Sequence, residues 1–363
     1  MNSKKKLEQY FSRYGGFWVY PDLLDFCYLV NPYFVRSKII DEIEANFRTL
    51  VSEYPAGMKV NSMLASKCWN IKAEYVIPGN GAAELIKTLM ENLEGTVGVV
   101  RPTFEEYPNR LPKERVVTFM PPDNNNFRYD EKELIRFFGK NHVDNLLLIN
   151  PDNPSGNFIS KEGILRLFAW TKQQSMKLVL DESFVDFSVG FENNSCIDNK
   201  TLADNPHVYV MKSISKSYGV PGLRLGILCS SDVDLIAKMK KQVSIWNINS
   251  FAEFFMQIYP KYQADYRKAC ETFISTRNDF EKELQKIPFL RVMPSQANYF
   301  FVEVLPPFAP KKLCSILLNK YSILVSACLA KKGIEQNRYM RIAVKNHSDN
   351  QKLIRALIEL SEK

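Results

Sequence analysis

The strongest constraint on the fold is an alternation of short β-rich runs with helical stretches that begins near residue 75. The β-rich runs are Val97–Val100, Arg115–Phe119, Asn145–Ile149, Lys177–Leu180, Val208–Met211 and Leu225–Cys229. Helical patterns such as Ala82–Leu93 and Lys161–Gln174 lie between some of them. Several runs are apolar throughout, which is typical of strands buried on both faces. The pattern predicts an α/β fold with a mainly parallel, doubly wound sheet, in which ligands bind at the carboxyl ends of the strands.

The length of the chain predicts more than one domain. A single hydrophobic core stops growing near ~250–300 residues, and this chain has 363. We predict an N-terminal arm and first helix over residues 1–45, packing with the small domain or a partner subunit. A large domain over residues 46–253 and a smaller α/β C-terminal domain over residues 254–363 follow. The last domain is predicted from the helical patterns Ser250–Tyr259, Ala264–Gln285 and Asn350–Ser361 and the β-rich runs Leu290–Val304, Ile323–Ser326 and Arg341–Val344.

Charge and cysteine usage narrow the class of protein. The net charge of +8 is spread along the chain, with no basic block beyond Lys4-Lys5-Lys6, which argues against a nucleic-acid partner. Solvated surface charge explains the excess, and attraction of anionic substrates is the alternative. The seven cysteines are scattered without a C-x-x-C pair, which favours reduced thiols in the cytoplasm and argues against a metal site. No apolar run approaches the ~20 residues of a membrane span, so we expect a soluble protein.

The segment from Ser213 to Gly226 carries the strongest chemical signal. It follows a β-rich run and holds the lysine Lys216, the hydroxyls of Ser213 and Ser215, and the guanidinium of Arg224 among glycines. A phosphorylated aldehyde cofactor needs such an amine, such phosphate ligands and such close backbone approach. Taken alone, the lysine is a surface residue, the serines form a turn and the arginine makes a surface ion pair. Burial after the strand would instead lower the pKa of Lys216 and favour the neutral amine.

This segment reads S-x-S-K-x-x-G-x-x-G-x-R-x-G and resembles the lysine signature of the fold-type I pyridoxal-5′-phosphate (PLP) enzymes. It is similar to the branch of histidinol-phosphate aminotransferases and threonine-phosphate decarboxylases, and the resemblance runs in order through nearly the whole chain. It implies the aspartate aminotransferase fold, PLP held by Lys216 as a Schiff base, and a homodimer with its active sites at the subunit interface.

Two polar residues follow apolar strands and match further family motifs. Asp181 ends the run Lys177-Leu178-Val179-Leu180, and Asn153 lies in Asn150-Pro151-Asp152-Asn153-Pro154-Ser155-Gly156. Turn formation explains both residues without any chemistry. The resemblance implies that Asp181 pairs with the pyridinium nitrogen of PLP and that Asn153 donates to its phenolic oxygen.

The remaining cofactor contacts are predicted around the phosphate and the ring. Gly81, Ala82 and Ala83 precede a helical pattern, where backbone N–H groups bind anions, although an ordinary glycine turn has the same sequence. The resemblance makes them a phosphate cradle together with Ser213, Ser215 and Arg224. It places Phe104 over the cofactor face, and it makes Tyr54 reach the phosphate of the neighbouring subunit. Core packing is the alternative for both aromatic residues.

The substrate side is predicted from the C-terminal domain and the arm. Arg341 falls where the family keeps the arginine that grips the substrate α-carboxylate, and a surface salt bridge is its alternative. Asn31 and Tyr14 resemble substrate-binding positions of the family, although more weakly. Asn298 resembles a structural position of the family, also weakly. Many relatives have a tyrosine at Phe184, a further residue beside the cofactor.

Two more departures bear on the substrate. At Ser326, histidinol-phosphate aminotransferases usually carry an arginine. Tyr14-Gly15-Gly16 looks like the His-Gly-Gly of the threonine-phosphate decarboxylases with its histidine replaced. The leading hypothesis is therefore a PLP-dependent aminotransferase of histidinol-phosphate type, acting on a small amino acid, phosphorylated and aromatic ones included. The alternatives are a decarboxylase of O-phospho-serine or O-phospho-threonine and a PLP-binding module without catalysis.

Overall fold

The computed structural model describes residues 10, 12–13, 15–35, 37–328, 331–334 and 338–362. The strands are β1 (Leu24–Asp25), β2 (Val76–Asn80), β3 (Val97–Val100), β4 (Val116–Phe119), β5 (Asn145–Ile149), β6 (Lys177–Asp181), β7 (Val208–Ser213), β8 (Leu225–Cys229), β9 (Leu290–Val292), β10 (Tyr299–Val304), β11 (Ile323–Leu324), β12 (Ser326–Ala327) and β13 (Tyr339–Ala343). The helices are α1 (Ser37–Ser52), α2 (Met58–Trp69), α3 (Ala82–Asn92), α4 (Glu131–Lys140), α5 (Lys161–Gln173), α6 (Asn199–Asp204), α7 (Ile214–Ser217), α8 (Val233–Gln242), α9 (Ser250–Ile258), α10 (Gln263–Leu284), α11 (Pro310–Tyr321) and α12 (His347–Ser361).

The larger sheet has seven strands in the order β2-β8-β7-β6-β5-β3-β4. Strand β8 is antiparallel to both of its neighbours, and the other pairs are parallel. Strands β3, β5, β7 and β8 are buried along their whole length, because apolar clusters cover both faces of the sheet. The predicted α/β fold with a mainly parallel sheet is confirmed. The sequence pattern did not predict the edge strand β2, whose apolar run is interrupted by Pro78 and Gly79.

The parallel strands bring the predicted site residues to one edge of this sheet. Asp181 ends β6 and pairs in register with Ile149 of β5 and Met211 of β7. The Asn150–Gly156 turn therefore begins beside Asp181, and Ser213 and Lys216 follow on the other side. This convergence at the carboxyl ends is what a parallel sheet imposes.

The smaller sheet has four antiparallel strands in the order β12-β13-β10-β9 and packs in an apolar cluster of its own. The run Leu290–Val304 was predicted as one β-rich run, but Pro294 and the turn after it divide it into β9 and β10. Arg341 lies in the middle of β13 rather than at its start. Strand β1 of the arm pairs in parallel with β11, so the arm packs on the C-terminal part of the chain. The domain boundaries at residues 45 and 253 stay predictions.

Within the described residues, no helix is long and apolar enough to cross a membrane.

Candidate active site

A cavity of about 320 Å³ opens at the carboxyl edge of the large sheet. Arm residues from Cys27 to Val30 cover one side of it. It brings together ten of the predicted site residues: Ala82, Ala83, Phe104, Asn153, Asp181, Ser213, Ser215, Lys216, Arg224 and Arg341. These residues come from segments far apart in the sequence, so the fold gathers them into one place.

Lys216 lies on α7, the short helix that directly follows β7, and its amine faces the cavity. Its Nζ lies 4.1 Å from the ring centroid of Phe184 and 5.6 Å from that of Phe104. The pKa of Lys216 is lowered to about 8, chiefly by burial of the amine; the negative charge of Asp181 opposes the shift, and the positive charge of Arg341 adds to it. About a tenth of the amine is therefore neutral and nucleophilic at pH 7, far more than for an ordinary lysine.

Asp181 is buried at the end of β6, and two donors fix its carboxylate. The Tyr107 hydroxyl donates to Oδ2 at 2.8 Å, and the backbone N–H of Ser183 donates to Oδ1 at 2.8 Å. A carboxylate accepts about four hydrogen bonds, so Asp181 can still accept one from a ligand in the cavity. Tyr107 is not predicted from the sequence, because a tyrosine beside a loop is usually a packing residue.

A group of anion ligands lies at the N-terminus of α3. Gly81 has φ +75°, and a Cβ there would lie 2.4 Å from a guanidinium nitrogen of Arg224, so only glycine fits. Ala82 and Ala83 begin α3 and present N–H groups that the helix leaves unpaired. The buried Oγ of Ser215 has no hydrogen-bond partner among the described residues. An unpaired buried hydroxyl, helix N–H groups and a guanidinium together fit a phosphate dianion.

Arg341 on β13 brings a second guanidinium into the same cavity, from the smaller sheet. Its guanidinium donates to Oδ1 of Asn153 at 3.0 Å and to the backbone oxygen of Cys27 at 2.9 Å. Among the described residues, its buried Nε has no hydrogen-bond partner and its guanidinium forms no ion pair with a carboxylate. Ser326 pairs with Arg341 in the register of β12 and β13. Arg341 can therefore bind an anionic group of a ligand through the donors that remain.

The Asn153 side chain lies beside Arg341 in the cavity. Because its amide oxygen accepts from Arg341, its NH₂ group is the part that can reach a ligand in the cavity.

Of the predicted residues that the structure describes, four do not line the cavity: Gly81, Phe184, Tyr54 and Asn31. Phe184 is fully buried beneath Lys216 and packs edge-on against Tyr299. Tyr54 is 79% exposed and lies against Trp246, with ring centroids 4.6 Å apart, so it is no packing residue of the core. Gly81 directly precedes Ala82 at the start of α3, next to the Arg224 guanidinium. Tyr14 falls outside the described residues.

Asn31 is hydrogen-bonded to the turn that carries Lys216. Its backbone N–H donates to the backbone oxygen of Lys216 at 2.9 Å, and its amide NH₂ donates to that of Ser217 at 2.9 Å. Its amide oxygen accepts from the N–H of Tyr33. These contacts use the Asn31 side chain inside the protein, and its predicted role in substrate binding stays a prediction. Asn298 is buried, and its side-chain N and O have no partner among the described residues.

A metal site is not formed by the described residues, among which no three His, Cys, Asp or Glu side chains are grouped.

Comparison with known proteins adds a family to this geometry. A family model described as "Aminotransferase class I and II" matches residues 46–357. The chain is 29% identical, over 96% of its length, to a CMP-5′-(3-aminopropyl)phosphonate synthase of Streptomyces rubellomurinus, and it spans 54% of that protein. It is 27% identical to an L-serine phosphate decarboxylase of Campylobacter jejuni, covering 93% of this chain and 88% of the relative. The solved structure of a decarboxylase from Sulfurospirillum multivorans has a TM-score of 0.85 at 27% identity, covering 95% of this chain and 91% of that one.

Proposed function

This chain belongs to the aminotransferase class I and II family, whose cofactor is PLP, and from that premise we propose that it decarboxylates a small amino acid with a phosphate on its side chain. The observation that carries the proposal is Arg341, a guanidinium without a carboxylate partner among the described residues, with Ser326 opposite it. The chain spans 54% of the CMP-5′-(3-aminopropyl)phosphonate synthase, so the activity of that longer protein does not support the proposal.

The residues of the cavity fit PLP at every point the structure can test. Gly81, Ala82, Ala83, Ser213, Ser215 and Arg224 would hold its phosphate, and Asp181 would hold its ring nitrogen. When bound, PLP supplies an aldehyde for amines and a ring that accepts an electron pair from Cα. Lys216 would hold the cofactor between substrates and would then move a proton to or from carbon, for which a pKa of about 8 is suitable.

The surroundings of Arg341 favour loss of carbon dioxide. A phosphorylated amino acid carries a carboxylate and a phosphate, and these two anions compete for one guanidinium. If Arg341 holds the phosphate, the part of the cavity wall that remains for the carboxylate includes the apolar side chains of Leu29, Val30 and Phe104. A carboxylate in apolar surroundings is destabilised, and its departure as a neutral molecule removes that cost. The likeness to a serine phosphate decarboxylase over most of both chains supports the same assignment.

Transamination is the second candidate, and it led the sequence-based hypotheses. If Arg341 instead grips the α-carboxylate through two N–H groups, the Cα–H bond becomes the one that breaks. Lys216 could then carry the proton between two carbons. A PLP-binding module without catalysis is less consistent with Lys216, Asp181 and Arg341 in one cavity.

We also propose a homodimer in the cytoplasm. Three large apolar side chains are exposed on this chain: Tyr54, Ile245 and Trp246. A partner subunit would cover them, and Tyr54 would then reach the phosphate cradle of that partner. All seven cysteines are free thiols, as expected in a reducing compartment.

Product analysis tests the proposal. The purified protein with PLP is incubated with O-phospho-L-serine or O-phospho-L-threonine, with serine and threonine as unphosphorylated controls, and the products are followed by NMR. We expect the phosphorylated amine and carbon dioxide from the phosphorylated substrates alone. A keto acid formed only when 2-oxoglutarate is present would establish transamination and contradict the proposal.

A further inference from the structure

Another buried carboxylate, Asp186, lies outside the cavity and accepts hydrogen bonds from three side chains. It is in the short turn Val185–Phe187 that follows β6. Lys212 Nζ donates to its Oδ1 at 2.7 Å, and the hydroxyls of Ser217 and Tyr266 donate to its Oδ2 at 2.8 Å and 2.7 Å. The two side chains of the ion pair are only 6% and 8% exposed. None of these groups contacts the cavity, so the chemistry described above does not explain them.

The donors lie on both sides of the cofactor lysine. Lys212 is on β7, four residues before Lys216, and Ser217 is the residue directly after it. Asp186 therefore joins the strand before Lys216 to the turn that carries it. Asn31 holds the backbone oxygens of Lys216 and Ser217 from the arm side. The turn is thus fixed by side-chain and backbone hydrogen bonds from two directions.

The third donor connects this network to the smaller sheet. Tyr266 lies on α10, and Arg277 of the same helix donates to the backbone oxygen of Phe187. Phe184 and Phe187 belong to the apolar cluster of the smaller sheet, although they follow a strand of the larger one. Phe184 is also the ring that lies 4.1 Å from Lys216 Nζ. The segment from Phe184 to Phe187 therefore touches both the amine and α10.

We infer that Asp186 is a positioning residue, which holds the Lys216 turn in register with Phe184 and couples the place of the amine to helix α10. A carboxylate can serve three donors at once, and the bonds from charged and hydroxyl donors to it are short and directional. The inference rests on Lys216 as the residue that carries PLP, and it is independent of which reaction follows.

Ser217→Ala is the sharpest variant, because it removes one tether and leaves Asp186 paired with Lys212 and Tyr266. Asp186→Asn would leave Lys212 as a buried charge without its counter-ion and could prevent folding. The matched control is Ser195→Ala. The Ser195 hydroxyl donates at 2.6 Å to Glu182, another buried carboxylate, which has no hydrogen bond to the Lys216 turn.

The experiment compares how the two variants capture PLP after the cofactor has been removed, with no substrate present. Absorbance gives the rate of capture and the pH midpoint of the bound cofactor's band, and calorimetry gives the melting temperature. We expect similar losses of melting temperature in both variants. Ser217→Ala alone should slow capture roughly tenfold and shift the midpoint, because a small displacement of a reacting group costs rate steeply.

Tyr266→Phe tests the coupling to α10. It should change capture and the pH midpoint in the same direction as Ser217→Ala, to a smaller extent. Equal capture rates and midpoints in Ser217→Ala and Ser195→Ala would overturn the positioning role. Changes in Ser217→Ala without any in Tyr266→Phe would overturn the coupling to the helix. Because no substrate is used, failure of the proposed decarboxylation would leave this result unaffected.

Discussion

The two ends of the cavity are built in different ways. At the cofactor end, Asp181, Ser213 and Lys216 lie on or directly after neighbouring strands of one sheet, and Tyr107 and Ser183 fix the carboxylate. At the substrate end, Arg341 comes from the smaller sheet, and its partners Asn153 and Cys27 come from a loop of the large sheet and from the arm. One end is a preorganised surface of a single sheet, and the other is assembled from three distant segments.

This difference assigns separate tasks to the two ends. The cofactor end has its donors in place before any ligand arrives, so its chemistry depends little on what the substrate is. The substrate end depends on one guanidinium with an unpaired Nε, so a few contacts there decide which anion is held. Substitutions at the two ends should therefore change different measured quantities.

The largest effect is expected at the cofactor end. Lys216→Ala removes the amine that bonds the cofactor, so borohydride should no longer fix PLP to the protein, and activity should fall by at least about a thousandfold. Mass spectrometry of the reduced protein gives the first result, and product formation gives the second. Lys238→Ala, on the exposed face of α8, is the control and should behave like the unaltered protein. PLP still fixed at full yield in Lys216→Ala would place the bond on another lysine.

A smaller effect, confined to the substrate, is expected at the other end. Arg341→Leu removes charge-assisted hydrogen bonds worth about 1.5–3 kcal/mol, so KM should rise about 10- to 150-fold. The amount of PLP bound at saturation should stay unchanged. Steady-state kinetics and cofactor titration measure the two quantities separately. Arg338→Leu, which removes an exposed ion-paired arginine near the start of β13, is the control. An equal loss of PLP binding in Arg341→Leu would assign this arginine to the cofactor end and remove the distinction.

The same difference explains what could be predicted from the sequence. The residues of the cofactor end lie in short sequence motifs, and the order of the strands brings these motifs together. The sequence alone therefore predicts Asp181, Asn153, Ser213 and Lys216. The sequence does not predict Tyr107 or the cavity-lining residues of the arm, because their contacts join distant segments that carry no recognisable motif. Arg341 was named from its place in the chain, but its contacts with Asn153 and Cys27 depend on how the smaller sheet packs. The edge strand β2 was missed because Pro78 and Gly79 hide its apolar pattern.

The smallest effect is expected in the pH dependence of PLP capture. Desolvation lowers the pKa of Lys216 to about 8, so in the protein without cofactor the amine is mostly protonated at pH 7 and mostly neutral at pH 9. Only the neutral amine attacks an aldehyde, so the rate of PLP capture should rise about tenfold between these pH values and then level off.

The lowered pKa of Lys216 also predicts how the stability of the protein depends on pH. Because the folded pKa lies below that of an unfolded lysine, the unfolded chain binds more protons between about pH 8 and pH 10.4, and Lys216 should make the protein without cofactor more stable as pH rises through that window. Denaturation of that protein and of Lys216→Ala across this range isolates the contribution of one lysine.

Arg341→Leu removes a neighbouring positive charge that lowers the pKa of Lys216, so the pH midpoint of PLP capture should move to higher pH in this variant. An unchanged midpoint in Arg341→Leu would mean that the two ends of the cavity do not influence each other electrostatically.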